Sequence, residues 1–347
     1  MKTTAFPGPR LQFLSWSRLT TRVPAFIALM KPRVMVLAVF TAAVGLFIAP
    51  GDLDALLRAV SIIAIAAGAG AAGVLNMWYD ADIDAVMTRT ATRPIPEGKV
   101  SRAEALRFGL ALAGGAIAIL TLALSVAAAA LLAFAIFFYI VVYTIWLKRR
   151  TPQNIVIGGA AGALPPVIGW TAATGAIGIE SLILFLIIFL WTPPHFWALS
   201  LTRTDDYARA GVPMLPVVGG GAATAWHILA YSVLLVPTSV LPFVLGFAGT
   251  IYGATAVVSG TVFIALAARL GRSQGADRRA AHRLFVFSIT YLFLLFAVLL
   301  ASHCSDRWSS TVATYGGRID HGSAHVECLT YPVSAARDCT RFTAGEA

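Results

Sequence analysis

Lys, Arg, Asp and Glu are missing from seven long stretches of the chain: 34–51, 59–79, 108–147, 151–179, 181–202, 210–268 and 284–302. A membrane-spanning helix needs about 20 apolar residues. Five of the stretches therefore hold one helix each, and 108–147 and 210–268 have room for two. The pattern predicts an all-α, polytopic membrane bundle of nine transmembrane helices, with short turns near Ser125 and near Gly246–Gly253. The first span follows Lys31-Pro32-Arg33 so closely that its start is the least sharply marked. Pro165-Pro166 and Pro193-Pro194 fall in spans five and six. A proline inside a helix removes a backbone hydrogen bond and bends it, so a kink or a span end is expected at each pair.

Composition agrees with the pattern. The chain is 58% hydrophobic and 12% charged, against roughly 45–50% and about 25% in soluble domains. An ordinary soluble enzyme and a disordered chain are both excluded. A net charge of +10 would suggest nucleic acid in a soluble protein, but here its placement sets topology. Arg89, Arg93, Lys99 and Arg102 follow span two, and Lys148, Arg149 and Arg150 follow span four. Arg203 and Arg209 follow span six, and Arg269, Arg272, Arg278, Arg279 and Arg283 follow span eight. The alternate turns near 50–56, 124–126, 174–180 and 246–253 carry no Lys or Arg. Under the positive-inside rule the basic loops are cytoplasmic. Residues 1–23 then form a cytoplasmic basic arm, 24–302 the helical domain, and 303–347 a tail on the opposite side. A lipid bilayer is the expected partner, and nucleic acid is not.

The acidic residues carry the chemistry. Five of the sixteen, Asp80, Asp82, Asp84, Asp205 and Asp206, fall in two short runs, each at the cytoplasmic end of an apolar span. Carboxylates beside a membrane core are costly and point to function. Asn76, Asp80 and Asp84 are spaced i, i+4, i+8, which lines three oxygen ligands along one helix face. Asp82 points away from that face. Hard oxygen ligands suit Mg²⁺, held by one or two carboxylates together with substrate phosphates. Arg89, Arg93 and Lys99 are placed to neutralise remaining phosphate charge. The second run, Trp191 to Tyr207, adds Asp205, Asp206, one imidazole (His195) and several aromatics. Lys148, Arg149 and Arg150 lie between the runs in sequence. Two acidic sites facing each other can hold two metals around one diphosphate.

Asn76-x₃-Asp80-x₃-Asp84, followed by Arg89-Thr90-x₂-Arg93-Pro94 and Gly98, closely resembles the first signature of the UbiA-type intramembrane prenyltransferases. The run Trp146 to Trp170, Trp191-Thr-Pro-Pro-His-Phe-Trp197 and Gly211-Val-Pro-Met-Leu-Pro-Val-Val218 resemble the heme-farnesylating branch of that family. The resemblance covers about residues 24 to 302. It implies a nine-helix UbiA-type bundle with its active site toward the cytoplasm. It also implies transfer of a farnesyl group from farnesyl diphosphate to a vinyl group of heme b. The product is heme O, with a heme A synthase or a terminal oxidase as the downstream partner. Mg²⁺ is the implied cofactor, on Asn76, Asp80, Asp84 and Asp205. Asp80, Asp84, Asp205, Asp206 and His195 are the expected catalytic set, and Asn76, Arg89, Arg93, Lys148 and Arg149 the expected diphosphate contacts. The second motif of other branches opens with Asp, where this chain has His195. His195 is open to the heme iron, a propionate, the diphosphate or a purely structural bond. The implied location is the bacterial inner membrane, with the mitochondrial inner membrane as the alternative.

Tyr79, Trp78, Tyr143, Phe196 and Trp197 are candidate aromatic faces for an allylic cation, or simply belt residues at the interface. Lys31 and Arg33 are expected to meet lipid phosphates, with heme propionates as the other reading. His227 and His282 carry no assigned role. All three cysteines, Cys304, Cys328 and Cys339, follow the last span, as do His303, His321 and His325. An odd number leaves one thiol over, and the Ser/Thr/Gly-rich tail is expected to be disordered. Within the family, the other reading is a prenyltransferase for an aromatic quinone precursor. A transporter would place ionisable groups near the midplane, whereas here the carboxylates gather at one face.

Overall fold

The computed structural model describes residues 16–316, with side chains from 22 to 303. Among the described residues, those up to 305 form one compact unit. Most of the expected basic arm, and Cys328, Cys339, His321 and His325 of the tail, lie outside the described residues. Among the described residues there is helix and no strand. In an apolar solvent each backbone group must be satisfied within its own segment, and a helix does this.

In chain order the helices are α1 (Trp16–Leu29), α2 (Pro32–Ile48), α3 (Ala55–Tyr79), α4 (Ala81–Val86), α5 (Arg102–Ala123) and α6 (Val126–Phe137). The last continues as a π-helix, Phe138–Leu147. Then follow α7 (Asn154–Ala163), α8 (Pro165–Thr174), α9 (Ile179–Leu201), α10 (Thr204–Arg209), α11 (Leu215–Val218), α12 (Gly220–Val244), α13 (Thr250–Arg272) and α14 (Arg278–Gly316). Among the described residues eight helical segments are long and apolar enough to cross a membrane, and nine if the bent pair α1/α2 is one span. The two turns expected inside the long charge-free stretches stand where α5 meets α6 and α12 meets α13. The last helix continues past residue 302 to Gly316, so the first part of the expected tail is helical.

Local signals set the helix ends. Asp54 accepts the Leu57 N–H at 2.8 Å at the start of α3. Ser101 and Glu104 form a reciprocal capping box on α5. Of the proline pairs, Pro165-Pro166 breaks span five into α7 and α8, whereas Pro193-Pro194 lies inside α9, which runs on to Leu201.

The bundle packs through small residues. A Cβ on Gly169 would fall on the Ala42 carbonyl, and one on Gly45 on the Pro166 carbonyl. Helices α2 and α8 thus meet backbone to backbone, as small-residue contacts allow in membranes. Elsewhere α3 packs on α5, and α12 on both α9 and α13. Phe40 of α2 touches Phe293 of α14 at 4.9 Å, which joins the first span to the last. Hydrogen bonds tie α12, α13 and α14 around Ser239: Tyr291 donates to its Oγ at 2.8 Å and Tyr252 to its carbonyl at 2.9 Å.

Candidate active site at the basic end of the bundle

Asp80 stands at the junction of α3 and α4, and its N–H bonds back to the Asn76 carbonyl at 2.9 Å. The chain continues helically into α4, so the i, i+4, i+8 register survives the junction. Asn76, Asp80 and Asp84 are all buried, as their common face requires.

Each is held by a cation from a different part of the chain. Lys148 donates to Asp80 Oδ2, which also accepts the Asn76 amide at 2.9 Å. Arg93 Nη1 donates to Asp84 Oδ2 at 2.6 Å. Arg149 pairs bidentately with Asp82 at 2.8 Å, and its Nη2 lies 3.8 Å from Asp80 Oδ1. The hydrogen bond from Arg149 holds the Asp82 carboxyl down at about 2. Its guanidinium also covers the Tyr79 ring at 4.9 Å. Thr90 donates to the Asp84 carbonyl at 3.0 Å and fixes the loop between α4 and α5. Gly98, at φ +71°, turns that loop. Of the bases expected here, Lys99 is spent on Glu97.

Lys31 is a correction. It was expected at the lipid interface, yet its ammonium turns inward and donates to Asn76 Oδ1 at 2.5 Å. The reason is the 51° bend between α1 and α2. Lys31 sits in that break in the left-handed region, at φ 57°. A non-glycine residue there costs about 1–3 kcal/mol and persists only where its surroundings enforce it. Arg33, two residues on, is exposed.

The π-helix supplies a residue that spacing did not reveal. Its i to i+5 bonding carries Lys148 N–H to the Tyr143 carbonyl at 2.8 Å. Thr144 Oγ1 donates to the Tyr139 carbonyl at 2.8 Å and accepts the Asn76 amide at 3.1 Å. Thr144 thereby fixes which way the Asn76 amide faces. Single π turns recur at functional sites. No sequence pattern distinguishes this one from an ordinary span. Tyr139 and Tyr143 stack at 5.3 Å on the same element.

The second acidic run divides. Asp206 has an 8% exposed side chain and accepts Thr88 at 3.0 Å and Arg209, tying α10 to the loop that follows α4. Asp205 is 76% exposed and, among the described residues, pairs with Arg278 at 3.3 Å. Adjacent residues on a helix point about 100° apart, so only one of the pair can face inward. Among the described residues no three His, Cys, Asp or Glu side chains form a metal-binding group. Asp205, expected as a metal ligand, is paired with Arg278 at the surface here. Tyr207 lies against Arg89, and burial pushes its phenol above the ordinary value.

His195 is bonded and sandwiched. Its Nδ1 lies 2.7 Å from Ser288 Oγ on α14, and its ring stacks between Trp191 at 4.3 Å and Phe285 at 4.8 Å. Trp191 Nε1 donates to the Ser288 carbonyl at 2.7 Å. Trp197 is buried in the core, packed against His227 and Tyr231.

The donor set fits a small hard cation. Asp80 Oδ1 is buried with no hydrogen bond. An unsatisfied buried acceptor costs about 1–3 kcal/mol, which a ligand at that oxygen would recover. Two carboxylates and an amide oxygen match the protein share of a Mg²⁺ site that is completed by phosphate.

The family model described as "UbiA prenyltransferase family" matches residues 38–307. A protein of Methylobacterium radiotolerans named protoheme IX farnesyltransferase is 57% identical over 85% of this chain and 92% of its own length. A protein of Afipia carboxidovorans with the same name is 60% identical over 80% and 89%. Among solved structures, a digeranylgeranylglyceryl phosphate synthase superposes with a TM-score of 0.68 at 19% identity, covering 83% of this chain and 99% of its own. A UbiA homolog from Archaeoglobus fulgidus bound to DMAPP and Mg²⁺ gives 0.59 at 17% identity, over 79% and 99%. The family match across most of the helical domain, with relatives this similar, leads to one conclusion: the chain belongs to the UbiA prenyltransferase family, as a polytopic helical membrane enzyme.

Proposed function

We propose that the enzyme farnesylates heme b: it moves the farnesyl group of farnesyl diphosphate onto a porphyrin vinyl group and leaves the hydroxyethylfarnesyl chain of heme O. The observation that carries heme as acceptor is the 57–60% identity to relatives named protoheme IX farnesyltransferase, over nearly their full length. The buried Asn76, Asp80 and Asp84 face, ringed by Lys31, Arg93, Lys148 and Arg149, supports the diphosphate half.

Asp80 and Asp84, with Asn76, would hold Mg²⁺. When bound there, the ion neutralises diphosphate charge and makes it a better leaving group. Lys148, Lys31 and Arg93 already touch that face and have donors to offer phosphate oxygens; Arg149 and Arg89 flank it. Preorganised donors at the site of developing charge lower the barrier without reorganisation. The farnesyl C1–O bond breaks and its electron pair leaves with the diphosphate. The Tyr143 and Tyr139 faces on the π-helix, and Tyr79, would stabilise the allylic cation. The terminal vinyl carbon attacks C1, and the positive charge moves to the carbon beside the porphyrin ring. Water adds there and loses a proton. Asp206, held by Thr88 and Arg209, fixes the loop that carries Arg89 and Arg93. His195, bonded to Ser288, has a structural role beside the acceptor. The active site faces the cytoplasm of a bacterial inner membrane, and heme O passes to a heme A synthase or a terminal oxidase.

Purified protein is incubated with heme b, farnesyl diphosphate and Mg²⁺, and the porphyrin product is weighed by mass spectrometry. Heme O is expected. No product from heme, with prenylation of an aromatic acid instead, would move the acceptor to a quinone precursor.

A further inference from the structure

A second cluster of bases at the same end of the bundle belongs to no part of the diphosphate site. Thr202 and Arg203, where α9 ends, and Arg278, Arg279, His282 and Arg283, where α14 begins, line an open cavity of about 430 Å³. Four guanidiniums and an imidazole thus face one space. Their pairing differs from that of the first cluster. Lys148, Arg149 and Arg93 are each engaged by a carboxylate of the first acidic run. Around this cavity, among the described residues, only Arg278 has a carboxylate at ion-pair distance, the exposed Asp205 at 3.3 Å. Asp277 is close, but its Oδ1 accepts the backbone N–H groups of Arg279 and Ala280 at 2.9 and 3.0 Å. Arg203, Arg279 and Arg283 keep their donors for something else. Topology alone asks for arginine on this face; it does not ask for four on one cavity with so little acid.

A row of packed rings leads from the cavity wall into the bundle. His282, on its wall, lies 6.4 Å from Phe285, which stacks on His195 at 4.8 Å, which stacks on Trp191 at 4.3 Å. A ligand with anionic groups on one edge and an apolar body suits a basic rim beside this apolar, ring-rich interior. Short α10 joins the cavity to the diphosphate site: Asp205 reaches Arg278, while Asp206 reaches Thr88 and Tyr207 lies against Arg89.

We propose that Arg203, Arg279 and Arg283, with Arg278 and His282, bind the two propionate carboxylates of the porphyrin acceptor. The proposal rests on heme b being that acceptor. Its two propionates lie on one edge of the ring and its vinyl groups toward the other. Anchoring the propionates at this rim turns the vinyl edge into the bundle, toward the prenyl group. Arginine suits the task because its planar fork engages a carboxylate through two parallel bonds.

The test uses the full chain in nanodiscs of zwitterionic lipid, titrated with heme b and with heme b dimethyl ester and followed by Soret absorbance. Wild type is expected to prefer the free diacid by about ten- to a hundredfold, the range of charge-assisted hydrogen bonds. Arg279→Gln/Arg283→Gln is expected to lose most of that preference, and Arg279→Lys/Arg283→Lys to recover part of it. Affinity for a non-reactive farnesyl diphosphate analogue should be unchanged in both, which shows that the bundle is intact. A Gln variant that keeps the wild-type preference overturns the subsite. So does a variant whose only loss is retention of phosphatidylglycerol in mixed nanodiscs, since the cavity would then serve a lipid headgroup. If wild type binds neither porphyrin yet prenylates an aromatic acid, the acceptor itself is wrong and the subsite falls with it.

Discussion

The two acidic runs occupy matching places, each just beyond the basic end of an even-numbered span, and they fold to different ends. In the first, Asp80 and Asp84 are four residues apart, share a face with Asn76 and are buried together. In the second, Asp205 and Asp206 are adjacent and diverge, one to Arg278 at the surface and the other to Thr88 and Arg209 inside. Acidic content is the same kind of signal in both, yet only the spacing tells which run can offer several oxygens to one ligand. In the second run Asp206 is a buried strut between α10 and Thr88, and Asp205 is an exposed partner of Arg278.

Substitutions can break that contrast. The largest effect is expected from Asp80→Ala or Asp84→Ala, a loss of about 10³-fold in turnover with normal membrane insertion, read by heme O formation and by expression level. Asp206→Asn should cost about ten- to a hundredfold, chiefly by loosening the loop that bears Arg89 and Arg93; limited proteolysis of that loop gives an independent reading. Thr144→Val should raise the Mg²⁺ concentration for half-maximal rate by about tenfold with a smaller change in kcat, and Thr144→Ser should restore it. A mere packing role would make Ser no better than Val. Asp205→Asn should change the rate less than about threefold, as expected for an exposed ion pair. A larger loss there would restore Asp205 to the metal site and erase the contrast.

Asp82 gives the smallest effect. Its carboxyl is held at about 2 by Arg149, below the ordinary value of about 3.9. A depressed folded-state value means that the pair's stabilisation is fully present above about 4 and is lost as pH falls through about 2. The difference in melting temperature between wild type and Asp82→Asn should thus be flat from pH 8 to 5 and shrink only in strong acid.

Much of this is written in the chain. Charge-free lengths mark the spans because lipid admits few charges, and i, i+4 spacing marks the common face of Asn76, Asp80 and Asp84 because helix geometry is fixed. Other features depend on tertiary placement. Lys31 follows a bend that Pro32 permits but does not locate, so its ammonium looked like a lipid contact. Thr144 matters because of a π-helix whose residues read as any apolar span. The division between Asp205 and Asp206 depends on how α10 is rotated, which Thr88 decides from elsewhere in the sequence. The arginines around the cavity between α9 and α14 read as topology signals until the cavity groups them.

The most direct test of the central claim is binding without turnover. Affinity for a non-hydrolysable farnesyl diphosphate analogue is measured by calorimetry, with and without Mg²⁺, for wild type, Asp80→Ala and Asp205→Ala. Wild type and Asp205→Ala are expected to gain affinity on adding Mg²⁺, and Asp80→Ala to show no gain. A gain that survives in Asp80→Ala, or vanishes in Asp205→Ala, would contradict the assignment of the Asn76, Asp80 and Asp84 face as the seat of the metal and diphosphate.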